Sequence, residues 1–314
     1  MNKKVVVIGG GHGQSCILRG IKYLPEVDLS AIVTVADDGG STGRLRRQYF
    51  IPAMGDIRNV MIAMSSEESI FKTLMDFRFT GDDADVGGHN LGNLILTALT
   101  QTHGSFMEAV SAVSKILNVK GKICPSTYQV ITLYAKMEDG TIVCGESNIP
   151  DKNNHIKQVF YQTEVTASQE AIDAILEADV IIYGIGSIYT SILPNIIIPG
   201  INQALNASKA KKIYYANCMS QAGETDNYSL EDHVKALTDH HAPVDTVVFA
   251  NDIIPEKLLQ RYAAAFSKPV SIMDDHHDYQ IIKQNLLDFS DNYIRHSPDK
   301  IMHSLAEILK GIDN

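Results

Sequence analysis

The sequence predicts an α/β fold with a mainly parallel sheet covered by helices on both faces. Three observations point there. Strand-like and helix-like segments alternate through most of the 314 residues. The strand candidates are short, unbroken apolar runs of the kind a doubly covered sheet buries, and glycines cluster where such runs give way to helical periodicity.

Residues 5–8 form the first apolar run, and Ile17, Leu18 and Ile21 then share one face of a helix over 14–23. Between them lie Gly9, Gly10, Gly11, His12 and Gly13. Glycines let the main chain approach a phosphate closely, and the unpaired N–H groups at a helix start attract an anion. No Lys-Ser or Lys-Thr follows, so this is not a Walker A loop. Gln14 also breaks the spacing of the dinucleotide fingerprint.

A second buried-strand candidate, 29–35, delivers Asp37 and Asp38 to the same sheet edge, followed by Gly39, Gly40, Ser41, Thr42, Gly43 and Arg44. Arg44, Arg46 and Arg47 read either as a solvated helix face or, for Arg44, as a bidentate phosphate contact. Asp56 enters a helix carrying Val60 and Met64. It fits an N-cap there, or, with Asp37, a site where a hard cation such as Mg²⁺ bridges carboxylates to a pyrophosphate. His89, Asn90 and Asn93 open the next apolar helix, offering either a cap or hydrogen bonds to a sugar or phosphate, with His89 a candidate acid or base.

Leu91, Leu94, Ile95, Ala98 and Leu99 form one core stripe, and Phe106, Ala109, Val110, Val113 and Leu117 another. Residues 130–136 and 141–145, joined by Glu138, Asp139 and Gly140, look like a hairpin and place an antiparallel excursion at roughly 119–165. The rhythm then resumes with strands at 180–183, 212–216, 246–250 and 270–273, and helices near 229–239 and 256–266. Gly184, Ile185, Gly186 and Ser187 follow one strand, and a polar loop from Asn217 to Thr225 follows another. Such loops at several strand ends suggest a ligand. Ser297 and Pro298 read as the cap and first turn of a final helix reaching Lys310. Without repeats or long linkers, one domain over 1–314 is expected.

A hydrophobic content of 45% supports a large core, and a formal charge of -10 argues against a nucleic-acid surface. Cys16, Cys124, Cys144 and Cys218 are far apart with no C-x-x-C pair, which fits a reduced, cytoplasmic protein. The run at 5–8 is too short for a signal-peptide core, and no run of about 18 apolar residues suggests membrane insertion.

The motifs GGGHG, ADDGGSTGRLRR, GDIRN, GHNLGN, GESNIP, GIGSIYTS, NCMSQAGETDNYS and IRHSP occur in this order. Together they resemble the YvcK or UPF0052 family of gluconeogenesis factors, related to the CofD phospholactate transferases, over nearly the whole chain. The resemblance implies a Rossmann-like fold and binding of a UDP-sugar, such as UDP-N-acetylglucosamine. It also implies a link to cell shape, to envelope-precursor supply through a cytoplasmic protein partner, and to growth on gluconeogenic carbon. Homo-oligomerisation stays open. Carried over, Gly10, Gly11 and Gly13 would cradle phosphate, Asp37 and Asp56 would be metal or nucleotide positions, and Gly186 and Ser187 would belong to a second ligand loop. Tyr262 and Arg295 would contact the nucleotide sugar, and Asn59 and Asn217 join the candidate set. His12 stands where relatives usually carry Thr, and Ile185 and Ala222 where they carry Pro. Ser297 and Pro298 replace an Asp-Thr pair that some relatives carry, which removes a phosphorylatable threonine.

Three functions follow as expectations. The chain is a nucleotide-sugar-binding regulator without settled catalysis, or a Mg²⁺-dependent CofD-like transferase using a nucleotide-diphosphate-linked donor, or an NAD(P)-binding protein with Asp37 or Asp38 on a ribose. Glycine spacing makes the third weakest.

Overall fold

The computed structural model describes residues 2–66, 70–81, 85–151 and 154–312. In chain order the elements are β1 (Lys3–Gly9), α1 (Gly11–Ile21), β2 (Val27–Val33), α2 (Gly40–Tyr49), α3 (Gly55–Met64), α4 (Ile70–Asp76), α5 (Leu91–His103), α6 (Phe106–Ile116) and β3 (Lys122–Pro125). An antiparallel group follows, β4 (Tyr134–Met137), β5 (Ile142–Cys144) and β6 (Ile156–Phe160), then α7 (Gln169–Glu177) and β7 (Val180–Tyr183). The remainder comprises α8 (Leu193–Ile196), α9 (Pro199–Ala207), β8 (Lys211–Tyr215), α10 (Leu230–Asp239), β9 (Thr246–Ala250), α11 (Glu256–Ala263), β10 (Gln280–Gln284), β11 (Leu287–Asp288), β12 (Arg295–His296) and α12 (Pro298–Ile312).

Seven strands pair in the order β10-β9-β8-β7-β1-β2-β3, every neighbour parallel. Val5, Val7 and Ile8 are fully buried and Val6 nearly so, which is why the central strand is apolar on both faces. From β1 the chain winds outward through β2 to β3, then returns to β7 on the other side of β1 and winds out to β10. The winding therefore reverses between β1 and β7. In open parallel sheets that reversal opens a crevice at the carboxyl ends of the strands, where ligands bind.

Four helices are capped by their own N-cap side chains, whereas α3, α9 and α11 are not. Asn90, Ser105 and Ser168 accept N–H groups at the starts of α5, α6 and α7, and Ser229 with Asp232 forms a reciprocal capping box on α10. What sets α1 and α2 apart is that their uncapped starts are glycines, Gly10 and Gly39. Both starts face the crevice.

Two expected elements move. Residues 270–273 are not a strand: Pro269 bridges Met219, and the Val270 N–H donates to the Cys218 carbonyl, so this stretch crosses the β8 loop. The parallel edge strand is β10, whose Gln-Ile-Ile-Lys-Gln sequence is too polar to stand out. The antiparallel excursion also begins later than 119, because Lys122–Pro125 pairs with β2 in the main sheet. It gains a third strand, β6, beside the expected hairpin. Among the described residues no helix is long and apolar enough to cross a membrane.

Candidate functional site

The two glycine loops flanking the reversal interlock. A β-carbon on Gly13 would stand 2.1 Å from the Ile185 carbonyl oxygen, so the loop after β7 lies directly on the first turn of α1. The loop after β8 joins them, with the Asn217 side-chain amide donating to the Gly186 carbonyl at 2.9 Å. Gly10, Gly11, Gly13, Gly186, Ser187 and Asn217 are thereby brought together. His12 is exposed on the first turn of α1.

Asp56 is not the cap of its own helix, since Met54 holds that position. Its carboxylate lies instead at the start of α1, taking a hydrogen bond from the Gly11 N–H. Burial, reinforced by the Asp37 charge, pushes its carboxyl up to about 7, and that N–H holds it down only in part. Asp37 is raised as well, mainly by burial, against hydrogen bonds from the Gly39 N–H and the Thr42 hydroxyl. Thus two facing carboxylates meet two uncapped helix starts. Among the described residues no three His, Cys, Asp or Glu side chains form a self-sufficient metal cage. The donor set still suits Mg²⁺, which takes one or two carboxylates and completes its shell with phosphate oxygens and water.

Ser41, His89 and Asn93 lie behind this front as a buried network. The Ser41 hydroxyl pairs with His89 Nδ1 at 3.0 Å and receives the Asn93 amide at 3.3 Å, while Arg58 donates to the Asn93 carbonyl oxygen at 3.2 Å. The other amino group of the Arg58 guanidinium donates to the Asn59 side-chain oxygen at 2.7 Å. Much of their hydrogen-bonding capacity is spent locking α2, α3 and α5 together. Burial lowers the His89 pKa, with Arg44 adding to the effect.

The three arginines divide. Arg44 is half-buried and donates to the Gly87 carbonyl at 2.7 Å, and Arg47 is exposed. Arg46 contradicts the solvated-face reading: it is 6% exposed and donates to the Ala36 and Asp37 carbonyls and, across to the excursion, to Ile131 and Thr132. Sequence periodicity missed this because three of its four partners are carbonyls, which leave no side-chain signature.

Tyr262 lies on α11 and Arg295 on β12, in the C-terminal part of the chain. The Tyr262 hydroxyl accepts the Ile294 N–H at 3.0 Å, within a small second core of Met219, Leu258, Leu287 and Ile294. Arg295 is exposed and stacks on the Tyr293 ring, 4.7 Å from its centre.

A model of the CofD family, 2-phospho-L-lactate transferase CofD, matches residues 5–287. The gluconeogenesis factor of Bacillus subtilis is 44% identical over 98% of both chains, and that of Halalkalibacterium halodurans 43% identical over 97% of this chain and 96% of its own. The chain belongs to the CofD family. Within it, a crystal structure of a UPF0052 member from Bacillus halodurans superposes with a TM-score of 0.91 at 42% identity, covering 96% of this chain and 99% of that one. The family resemblance seen in the motifs and the parallel α/β fold expected from the sequence both hold.

Two acidic residues of this family member were absent from the sequence-derived set. Glu146 follows Gly145, whose φ is +93°, and the turn is fixed by a hydrogen bond from the Ser147 N–H to Asp38 at 3.0 Å. Burial, and then the charges of Asp37, Asp56 and Asp38, push its carboxyl up to about 8. Glu224, in the loop after β8, is 2% exposed, and burial raises it to about 7 despite the Ser187 and Thr190 hydroxyls. Both stand inside motifs quoted above, GESNIP and AGETDNYS. Their burial was the signal, and one sequence does not carry it.

Proposed function

We propose that this protein binds a nucleotide sugar of the UDP-sugar class across the carboxyl ends of β1, β2, β7 and β8, in a regulatory role connected with gluconeogenic growth. The single observation that carries the reading is the pair of uncapped, glycine-started helices α1 and α2 at the reversal between β1 and β7. The first-turn N–H groups of two neighbouring helices, beyond the Gly11 N–H that Asp56 takes, suit a diphosphate better than a single phosphate. Asp37 and Asp56 would share Mg²⁺ with it, the cation offsetting the like charges that raise both carboxyls. The loops after β7 and β8 are then left to receive the sugar. UDP-N-acetylglucosamine is the ligand proposed, a cytoplasmic protein in envelope-precursor synthesis the partner, and support of cell shape the outcome. The relatives' description as gluconeogenesis factors supports the metabolic setting.

The family model favours a second reading, in which the same cleft serves a Mg²⁺-dependent transferase with a nucleotide-diphosphate-linked donor. Calorimetric titration with UDP-N-acetylglucosamine, a GDP-linked ligand and NAD, each with and without Mg²⁺, separates the readings. Binding of the UDP-sugar without turnover supports the first. Turnover with an added acceptor supports the second, and binding of NAD alone would overturn both.

A further inference from the structure

Glu224 differs from the other buried carboxylates of the site in being held by three side-chain donors. One carboxylate oxygen accepts the Ser187 hydroxyl, and the other accepts the Gln221 side-chain amide at 2.6 Å and the Thr190 hydroxyl at 3.2 Å. Ser187 also accepts the Thr190 N–H at 3.0 Å, capping the turn Ile188–Ile192. A serine hydroxyl offers one proton and two lone pairs. Here the proton is committed to Glu224 and one lone pair to Thr190, so what Ser187 retains for a ligand is a single lone pair.

That count separates Ser187 from the glycines beside it. Phosphate oxygens bring lone pairs of their own and cannot bond to another one, whereas a sugar hydroxyl or an amide N–H can donate to it. Ser187 is half-buried and lies on the loop packed against the start of α1, within the proposed ligand's reach. We propose that Ser187, oriented by Glu224, is a hydrogen-bond acceptor that reads a donor group on the sugar of a nucleotide sugar, and that it is not a phosphate contact. The inference rests on the nucleotide-sugar reading above and assigns one subsite of it.

Glu224→Gln tests the polarity of this subsite at nearly constant volume. Gln221 and Thr190 still need an acceptor, so the new amide keeps its oxygen toward them and turns its NH₂ toward Ser187. That amide then donates to Ser187, whose proton swings to the open side, and the acceptor becomes a donor. The full chain and its Glu224→Gln and Ser187→Ala variants are titrated with UDP and with UDP-N-acetylglucosamine at pH 8, with melting temperatures recorded. At that pH the carboxyl, raised by burial to about 7, is mainly ionised.

The expected result is a loss of about ten-fold in affinity for the sugar nucleotide in both variants, the size of one hydrogen bond to a charge-oriented group, with UDP unchanged or tighter. Equal weakening of both ligands would overturn the assignment by showing that Glu224 merely holds the loop. Unchanged affinity for the sugar nucleotide would overturn it too. Should Glu224→Gln fail to fold, Ser187→Ala reads the same difference between the ligands. A wild-type protein that binds neither UDP nor its sugar would instead remove the nucleotide-sugar reading itself.

Discussion

The carboxylate of Asp56 lies against Gly10, one of its oxygens 2.6 Å from where a β-carbon on that glycine would stand. The φ of Gly10 is −170°, extended backbone open to any residue, so glycine is required here by space and not by conformation. Two neighbouring glycines therefore differ in a testable way. At Gly10 the obstacles are the ends of the Asp56 and Thr34 side chains, which can shift, whereas at Gly13 the obstacle is the backbone of Ile185.

Gly13→Ala is accordingly expected to destabilise more than Gly10→Ala, with overpacking costs of about 1–3 kcal/mol marking the lower end for Gly13. Gly10→Ala should fold but bind a nucleotide diphosphate poorly, because displacing Asp56 disturbs the start of α1. Urea melts and titrations on both variants check the order. Equal stability of the two would show that the loop after β7 does not press on α1.

Four raised carboxyls, Asp37, Asp56, Glu146 and Glu224, give the ligand-free protein a definite response to pH. Asp56 and Glu224 near 7 and Glu146 near 8 each hold a proton more tightly folded than unfolded. The stability tied to those protons is complete below about pH 4, where unfolded carboxyls titrate, and is lost as pH rises through 7 to 8. Buried His233, His240 and His296 shift downward and act oppositely, but their effect ends near the ordinary histidine value of about 6.5. Between about pH 6.5 and 8.5 the melting temperature should fall, and Glu146→Gln should flatten that fall. Parallel profiles for the wild type and this variant would remove Glu146 from the charge cluster.

The parallel sheet was legible because its strands are apolar on both faces, as residues 5–8 and 180–183 announce. Its edge was not. β10 needs only Ile281 and Ile282 half-buried, so Gln280, Lys283 and Gln284 hide it, while Val270 is buried in a loop that resembles a strand. In the candidate site, glycine and aspartate positions could be read from turn chemistry. What required three dimensions was the partner of each polar group: Asp56 serving α1 instead of α3, and Arg46 serving carbonyls of two separate loops.

Arg46 joins the Asp37 loop to the antiparallel excursion that supplies Glu146. Truncating it leaves the Ala36, Asp37 and Ile131 carbonyls without their donor. Hydrogen bonds to a charged group are worth about 1.5–3 kcal/mol, so Arg46→Ala should cost at least about 2 kcal/mol and loosen both loops. Chemical denaturation measures the first effect. Protease sensitivity near residues 131–147 measures the second, and a stable variant with intact loops would return Arg46 to the surface-charge reading.

Arg295 poses the opposite case, a charged side chain with little structural work. The segment preceding α12 runs along α1: the His296 carbonyl accepts the Cys16 thiol at 3.1 Å, and Pro298 packs on Gly20, where a β-carbon would meet its carbonyl oxygen at 2.2 Å. Following that register backwards carries the chain toward the first turn of α1, and Tyr262 fixes the approach by accepting the Ile294 N–H. The guanidinium itself is exposed, stacked on Tyr293, and forms no ion pair with a carboxylate among the described residues. Arg295→Ala should therefore change stability by no more than about 0.5–1 kcal/mol, the range for losing an exposed cation–π contact. A charge-assisted bond to the ligand is worth more, about 1.5–3 kcal/mol, so affinity for the UDP-sugar should fall about ten-fold or further. Melting temperature and affinity measured on one preparation decide between the roles. A lowered melting temperature with unchanged affinity would assign Arg295 to the packing of the C-terminal segment and leave the diphosphate to the helix starts and the cation alone.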